Sequence, residues 1–384
     1  MTERRITAGF LPLLDSLLLV IAREKGLAAA QGIDLVLVRE TSWANIRDRV
    51  AVGQFDVAHM LGPMPIAANL GLSPIAAPLV APMTLGLGGN AITVSAGLWR
   101  RMLDAGAPGN LDPGLTGAAL RQVVTSGGSR LRFAVTHPYS GHNYELRYWL
   151  AASGIIPERD VEIVILPPPL MPDALAVGTI NGYCVGEPWN SIGVASGAGR
   201  IVAVKSRIWA NSPDKVLGAS ERWVDNNPEA LAALLRSLYS AAVWCGDTTN
   251  HAEAAAILSG PSYLDRSSEL LSRGLSGRLE LSRGEATRVP DFYEPLAQSA
   301  TFPWVTHALW YYSQMIRWRD VPHSPANARL AAATYRPDLY RAAIAPFGAS
   351  LPTADSKVLG SDIFFDAVPF DPAHLEDYIA NQRA

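Results

Sequence analysis

The sequence predicts an α/β protein of two lobes, each a mostly parallel sheet covered by helices, with a cleft between them. Short apolar segments alternate with amphipathic segments over residues 6–95 and again over residues 131–204, a pattern typical of strands alternating with helices. From about Pro228 onward the apolar spacing becomes helical. The chain, at 384 residues, is also long for a single hydrophobic core. Clefts between lobes are favoured sites for small ligands.

The pattern divides the chain into three parts. Residues 1–95 are predicted to begin the first lobe, residues 96–204 to form the second, and residues 205–384 to return to the first with C-terminal helices. This arrangement predicts two chain crossings between the lobes.

The first block begins as a β-α-β unit, in which Ser42 is the expected cap of the second helix. A stretch rich in glycine and proline, residues 106–117, is predicted to be a loop. The predicted strands cover residues 6–10, 33–39, 56–61, 75–80 and 91–95, and the predicted helices cover residues 17–26, 43–52 and 98–104.

The second block repeats the alternation, and helices then dominate. One of its strands runs into Gly186 and Pro188, which places Glu187 and Trp189 at a strand end, where open α/β sheets bind ligands. The predicted strands cover residues 131–135, 161–166 and 182–185, and the predicted helices cover residues 144–152, 230–244, 304–318 and 335–345.

Composition narrows the class of protein. The formal net charge of -3 and the pI near 6.2 give no reason to expect direct binding to nucleic acid. Only Cys184 and Cys245 are present, and we expect two buried, reduced thiols. No run of about 18 uncharged apolar residues occurs, so no membrane insertion is expected.

The N-terminal segment superficially resembles a secretory leader, because Arg4 and Arg5 precede a mainly apolar run that extends to Ala22. Asp15 interrupts that run, and no small-residue cleavage pattern follows it. Since Ile6 already belongs to the first predicted strand, we expect no leader and a cytoplasmic protein.

The segment around His142 predicts an anion site. A strand ends, Ser140 and Gly141 turn the chain, and a helix follows, so backbone N–H groups should point into the cleft with the positive end of the helix dipole. His142 can add a further donor. The alternative is that His142 only caps the helix.

Three other residues are single clues. Lys215 lies in a polar turn before an apolar segment, where a lysine is usually solvated. Trp43, near a helix start, could face the cleft or the core, and Asn90 could contact a ligand or serve a turn.

Motifs for catalysis are weak. The glycine-rich stretch at residues 86–91 lacks the following helix and the acidic residue of a dinucleotide site, and no Walker-type loop or nucleophile elbow is present. The spacing of His137, His142 and Glu145 matches no standard zinc helix. We therefore expect a protein that is not an enzyme and that carries no metal and no cofactor.

Several segments together resemble the nitrate- and bicarbonate-binding proteins of ABC transporters, and the resemblance covers nearly the whole chain. It implies a type II periplasmic-binding-protein fold, in which two hinged lobes close over a small ligand. The segments that carry it are Ser42-Trp43, residues 59–65, the helix beginning at Gly141-His142, residues 147–150, 184–189 and 223–228.

The resemblance also implies a ligand site on Trp43, Asn90, His142 and Lys215, with nitrate or nitrite as the ligand. Nitrate binders carry lysine at position 215, whereas bicarbonate relatives carry an acidic residue; at position 90 the nitrate proteins carry glutamine. The residues expected around the ligand contacts are His59, Gly141, Glu187 and Trp189.

Because a carboxylate repels nitrate, Glu187 is expected to orient a donor or to join the lobes rather than to touch the anion.

Two cellular roles follow from the resemblance. With no leader expected, the chain is similar to cytoplasmic nitrate/nitrite sensors of the NasS type, which sequester an RNA-binding antiterminator of the NasT type until the anion binds. The alternative is the substrate-binding component of an ABC transporter for nitrate, bicarbonate or another small anion, with an upstream start codon that adds a leader.

A third hypothesis is an enzyme on the same fold, similar to the pyrimidine-precursor synthases of thiamine biosynthesis. The cysteine-rich motif of those enzymes is absent from this sequence.

Overall fold

A computed structural model describes residues 4–382, which form two lobes that each contain a five-stranded sheet. The strands are β1 (Arg4–Phe10), β2 (Ile33–Arg39), β3 (Val57–Leu61), β4 (Leu79–Thr84), β5 (Leu87–Gly88), β6 (Asn90–Ser95), β7 (Leu131–Val135), β8 (Val161–Ile165), β9 (Gly182–Gly186), β10 (Gly199–Val204), β11 (Lys215–Ser220), β12 (Arg278–Ser282), β13 (Glu285–Arg288) and β14 (Tyr293–Glu294).

The helices surround both sheets. They are α1 (Leu17–Glu24), α2 (Trp43–Ala51), α3 (Pro63–Asn69), α4 (Ala96–Asp104), α5 (Pro113–Thr125), α6 (Gly141–Ala152), α7 (Met171–Ala176), α8 (Trp189–Ala195), α9 (Lys205–Ile208), α10 (Glu221–Asn226), α11 (Pro228–Gly246), α12 (His251–Leu258), α13 (Ser268–Ser276), α14 (Val305–Arg317), α15 (Pro325–Thr334), α16 (Pro337–Ile344) and α17 (Leu375–Asn381).

The first sheet has the strand order β2-β1-β3-β11-β4. Its first three strands are parallel, as the β-α-β pattern predicts, because the crossovers between them are helices. Strand β11 then lies antiparallel between β3 and β4. Strand β4 therefore runs in the same direction as β1, β2 and β3, so the sheet is mostly parallel, as predicted, and β11 is the antiparallel strand.

The second sheet has the order β10-β6-β9-β7-β8. Strands β7, β8 and β9 are parallel, and β6 lies antiparallel to both β9 and β10. The sequence predicts that the strand at residues 91–95 belongs to the first lobe, but β6 pairs in the second sheet. The change of sheet thus lies one strand before the predicted boundary at residue 95.

Several elements differ from the sequence prediction. The last part of the predicted loop at residues 106–117 is helical, because Asp112 accepts a hydrogen bond from Leu115 N (2.9 Å) and Pro113 begins α5. Gly117 lies within that helix, where a Cβ would collide with Ser153. The strand predicted at residues 75–80 is β4, four residues further on.

The C-terminal part packs on both lobes rather than on the first alone. Helix α16 packs on α11 and β4 of the first lobe, while α14 lies against α3 of the first lobe and α6 of the second. Trp310 of α14 contacts Trp209 with ring centroids 4.0 Å apart, and Phe364 stacks on both rings. Tyr148 of α6 donates a hydrogen bond to Asp366 (2.7 Å). This segment therefore joins the lobes in addition to the chain crossings.

Cys184 and Cys245 are both buried and are not joined to each other, as expected for two buried thiols. Among residues 4–382, every helix is too short or too polar to cross a bilayer.

Candidate functional site

The N-terminus of α6 forms one wall of the candidate site. Ser140 caps the helix, since its Oγ accepts a hydrogen bond from Asn143 N (3.0 Å). Gly141 and His142 are the first helical residues, and both are buried. Thr136 Oγ1 lies 3.1 Å from His142 Nδ1 and fixes the ring. His142 Nε2 has no hydrogen-bond partner among the described residues.

Lys215 lies opposite His142, at the first position of β11. Its Nζ donates to Asp15 Oδ2 (2.8 Å) and to the carboxylate of Asp214. Asp214 Oδ2 is 3.5 Å from His142 Nε2, and Gly62 N donates to Asp214 O (2.8 Å). The fold thus brings His142 and Lys215 to the same oxygen of one carboxylate.

Trp43 and His59 form a second wall. Their ring centroids are 5.3 Å apart, and Lys215 Nζ lies 5.5 Å from the Trp43 ring centroid. His59 Nε2 is 2.9 Å from Asp15 Oδ1. Trp43 Nε1 is buried without a hydrogen-bond partner among the described residues, so the indole presents a donor as well as a face.

Asn90 lies at the start of β6, where it contacts a second ion pair. Its Nδ2 donates to Glu145 Oε2 (3.2 Å), and Lys205 is ion-paired with the same carboxylate. Lys205 Nζ also donates to Pro213 O (2.8 Å). Asn90 Oδ1 lies 3.3 Å from the position that a Cβ on Gly186 would occupy. The Asn90 amide therefore binds Glu145 through its nitrogen, while Oδ1 has no hydrogen-bond partner among the described residues.

Burial dominates the electrostatics of these groups. It lowers the pKa of His142 well below its ordinary value, and the charge of Lys215 lowers it further. Burial likewise lowers the pKa of His59, although Asp15 opposes the shift. Burial alone would raise the pKa of Asp15, but Lys215 and His59 hold it below its usual range. Both histidines are therefore neutral at neutral pH.

The formal charges nearly cancel. Two lysines face three carboxylates, and all five side chains are buried: Lys205, Lys215, Asp15, Asp214 and Glu145. With both histidines neutral, the cluster carries a formal charge of minus one. It is a cluster of mixed charge and not a simple cationic site.

Glu187 and Trp189 lie beside this cluster. Glu187 Oε2 accepts from Ser191 N (3.1 Å), and its backbone carbonyl accepts from Leu14 N of the first lobe (2.9 Å). Burial raises the pKa of Glu187 to about 7. Trp189 faces Arg266, whose guanidinium carbon is 5.2 Å from the ring centroid. Glu187 thus joins the two lobes, and within residues 4–382 its carboxylate makes no hydrogen bond to the predicted ligand residues.

Sequence reasoning missed four members of the cluster, namely Asp15, Glu145, Lys205 and Asp214. Asp15 gave a signal, since it interrupts an apolar run and is buried in the structure. Glu145 follows His142 by one helical turn and therefore shares its helix face. Asp214 and Lys205 carry no comparable pattern.

Other clefts have different chemistry. A surface cavity of about 710 Å³ lies between residues 51–53, 76–78 and 220–227, where Glu221, Arg222 and Asp225 give mixed charge.

His137 Nδ1 accepts a hydrogen bond from Tyr139 N (3.1 Å), so this nitrogen is not free to bind a metal ion. Within residues 4–382, no group of three histidine, cysteine or acidic residues is arranged to hold a metal ion.

The chain matches the family model described as the NMT1-like family over residues 2–259. It is 34% identical to the nitrate/nitrite binding protein NrtA of Synechococcus elongatus, an alignment that covers 97% of this chain and 85% of the relative. It is 37% identical to the bicarbonate transport ATP-binding protein CmpC of Synechocystis, over 82% of this chain. That alignment covers 46% of CmpC, so this chain corresponds to about half of that longer protein.

The fold is also that of a solved relative. The crystal structure of the periplasmic nitrate-binding protein NrtA from Synechocystis PCC 6803 superposes with a TM-score of 0.91 at 27% identity. The superposition covers 99% of this chain and 98% of that one. The predicted two-lobed periplasmic-binding-protein fold is therefore confirmed.

Proposed function

The chain belongs to the NMT1-like family, among relatives of nitrate- and bicarbonate-transport proteins, and from this premise we propose that it binds nitrate or nitrite as the substrate-binding component of an ABC-type importer. The relatives named above include a nitrate/nitrite binding protein and a bicarbonate transport ATP-binding protein, and these names support a role in anion transport. No catalytic step is part of the proposal.

One observation supports the ligand most strongly. Trp43 Nε1 and His142 Nε2 are buried and lack a hydrogen-bond partner among the described residues, and both lie around Lys215. Buried polar atoms are nearly always paired, so two unpaired atoms beside a buried ammonium group point to an absent partner with oxygen acceptors. A small planar oxyanion fits that description.

The residues would divide the work of binding. Lys215 supplies the charge, His142 in the tautomer protonated on Nε2 supplies a directed donor, and Trp43 supplies its N–H. Asn90 already donates to Glu145, so it is better placed to position that carboxylate than to contact the anion. Binding would favour the closed form of the lobes to the extent that the anion contacts both.

The cytoplasmic sensor that sequesters an antiterminator stays a prediction, as does the cytoplasmic location. None of the relatives named above carries such a role in its name. Nitrate binding is common to both roles, and therefore the test of the ligand precedes the test of the role.

Calorimetry of the purified protein against nitrate, nitrite, bicarbonate and sulfate tests the ligand. We expect one nitrate or nitrite per chain. We expect little heat from sulfate, because the cluster has no excess positive charge to balance a dianion. Tight binding of bicarbonate without binding of nitrate would overturn the assignment.

Two matched variants test the location of the site. Trp43→Phe and Trp304→Phe each remove a buried, unpaired indole N–H, but Trp304 packs on Phe302, with ring centroids 4.7 Å apart, outside the cluster. We expect Trp43→Phe to weaken nitrate binding about tenfold, since one hydrogen bond to a charged group contributes about 1.5–3 kcal/mol. Trp304→Phe should leave the affinity unchanged. Equal effects of the two variants would place the anion elsewhere.

A further inference from the structure

The carboxylate of Asp214 lies among the donors expected to hold the anion. Its Oδ2 accepts from Lys215 Nζ and is 3.5 Å from His142 Nε2. Its Oδ1 has no hydrogen-bond partner among the described residues and lies against the start of α6, 2.5 Å from the position of a Cβ on Gly141. The protein itself thus places a planar group with two oxygens at this position.

A carboxylate and a nitrate or nitrite ion make the same demands on a site. Each is planar, spreads its negative charge over oxygens and accepts charge-assisted hydrogen bonds from a lysine or an imidazole N–H. Lys215 and His142 cannot serve both groups in one place, and two anions in contact inside a buried cluster repel each other strongly.

We propose that Asp214 is an internal competitor of the anion, an inference that rests on the proposed nitrate or nitrite binding. The anion binds when the Asp214 carboxylate gives up its contacts with Lys215 and His142. The affinity of the protein is therefore set by this exchange as well as by the contacts that the anion makes.

Asp15 has a different part in the same cluster. Its Oδ2 accepts a hydrogen bond from Lys215 Nζ (2.8 Å) and so holds the ammonium group in place, while its Oδ1 lies 2.9 Å from His59 Nε2. When Asp214 leaves, Lys215 keeps one carboxylate partner and stays oriented. The Asp214 side chain can move without its backbone, because the Asp214 carbonyl accepts a separate hydrogen bond from Gly62 N (2.8 Å).

Asp214→Asn tests the exchange, because asparagine keeps the shape and removes the charge. We expect calorimetry to show nitrate binding at least about tenfold tighter than in the natural protein, since a like charge in contact with the ligand is removed. The matched control is Glu40→Gln, which removes another buried carboxylate, one paired with Arg49 (2.8 Å) outside the cluster. This control should bind nitrate with unchanged affinity.

Asp214→Ala gives a second readout with a different probe. Removing the carboxylate leaves room for a small carboxylate from solution, so formate should bind this variant at least about tenfold more tightly than it binds the natural protein. Circular dichroism and thermal unfolding establish that each variant is folded.

The outcomes separate the two proposals. The competition would be overturned if the natural protein binds nitrate and the folded Asp214 variants bind nitrate and formate no more tightly than it does. That result would leave the proposed function standing. Absence of nitrate and nitrite binding in the natural protein and in both variants would overturn the proposed function and this inference together.

Discussion

Replacing Glu187 by glutamine should change how the stability of the protein depends on pH. Burial raises the pKa of the Glu187 carboxyl from 4.5 to about 7 in the folded protein. The folded state therefore holds this proton more tightly than the unfolded chain does. The stability that the proton contributes is fully present below about pH 4.5 and is lost as the pH rises through about 7.

The size of the effect follows from the shift. A change of about 2.5 pKa units corresponds to roughly 3 kcal/mol, at about 1.36 kcal/mol per unit. Because glutamine is neutral at every pH, Glu187→Gln should match the natural protein at about pH 4.5 and exceed it by up to roughly 3 kcal/mol above about pH 8.

Urea unfolding of both proteins across this range measures the difference. Glu253→Gln is the control, since Glu253 is half exposed, is paired with Lys25 at 2.7 Å and should give no comparable slope. A stability difference between Glu187→Gln and the natural protein that stays flat from about pH 5 to about pH 8 would refute a buried carboxyl with a raised pKa.

Three further predictions concern the site and the C-terminal segment. Gly141→Ala should weaken nitrate binding at least about tenfold in calorimetry, because the new Cβ would lie 2.5 Å from the present position of Asp214 Oδ1, which the anion is expected to take over; unchanged affinity would remove Gly141 from the site. Ser140→Ala and Ser267→Ala each delete a helix cap and should each cost about 1 kcal/mol in denaturation, but only Ser140→Ala should also weaken nitrate binding. Phe364→Ala should cost about 3 kcal/mol in urea unfolding, because it deletes a buried ring stacked on Trp209; a loss below about 1 kcal/mol would contradict this packing.

The sequence predicts the regular part of the fold well. Strands β2 and β7 have the predicted bounds, since each is an apolar run between turn residues. Ser42 caps α2 as expected, accepting from Ala44 N (3.2 Å). These features depend on residues close together in the chain, and local preferences therefore suffice.

Features that depend on distant pairing could not be predicted. Strand β6 joins the second sheet by pairing with β9, and no local pattern at Asn90 indicates that partner. The same holds for Asp15 and Lys215, which are 200 positions apart and become an ion pair only when β11 lies beside β3. The resemblance implies a ligand site on His142 and Lys215. The carboxylate of Asp214 meets both of them only because β11 lies beside β3 in the folded protein.

The position of β11 also affects how the protein is made. This strand fills the gap between β3 and β4 in the first sheet, but it follows the whole second lobe in the chain. A chain emerging from the ribosome must therefore hold an incomplete first sheet while the second lobe is synthesised. Pairing over such a separation is slow to form, because a long loop has to close first. Lys215 arrives with this strand, and so the site is completed only after the chain has returned to the lobe in which it began.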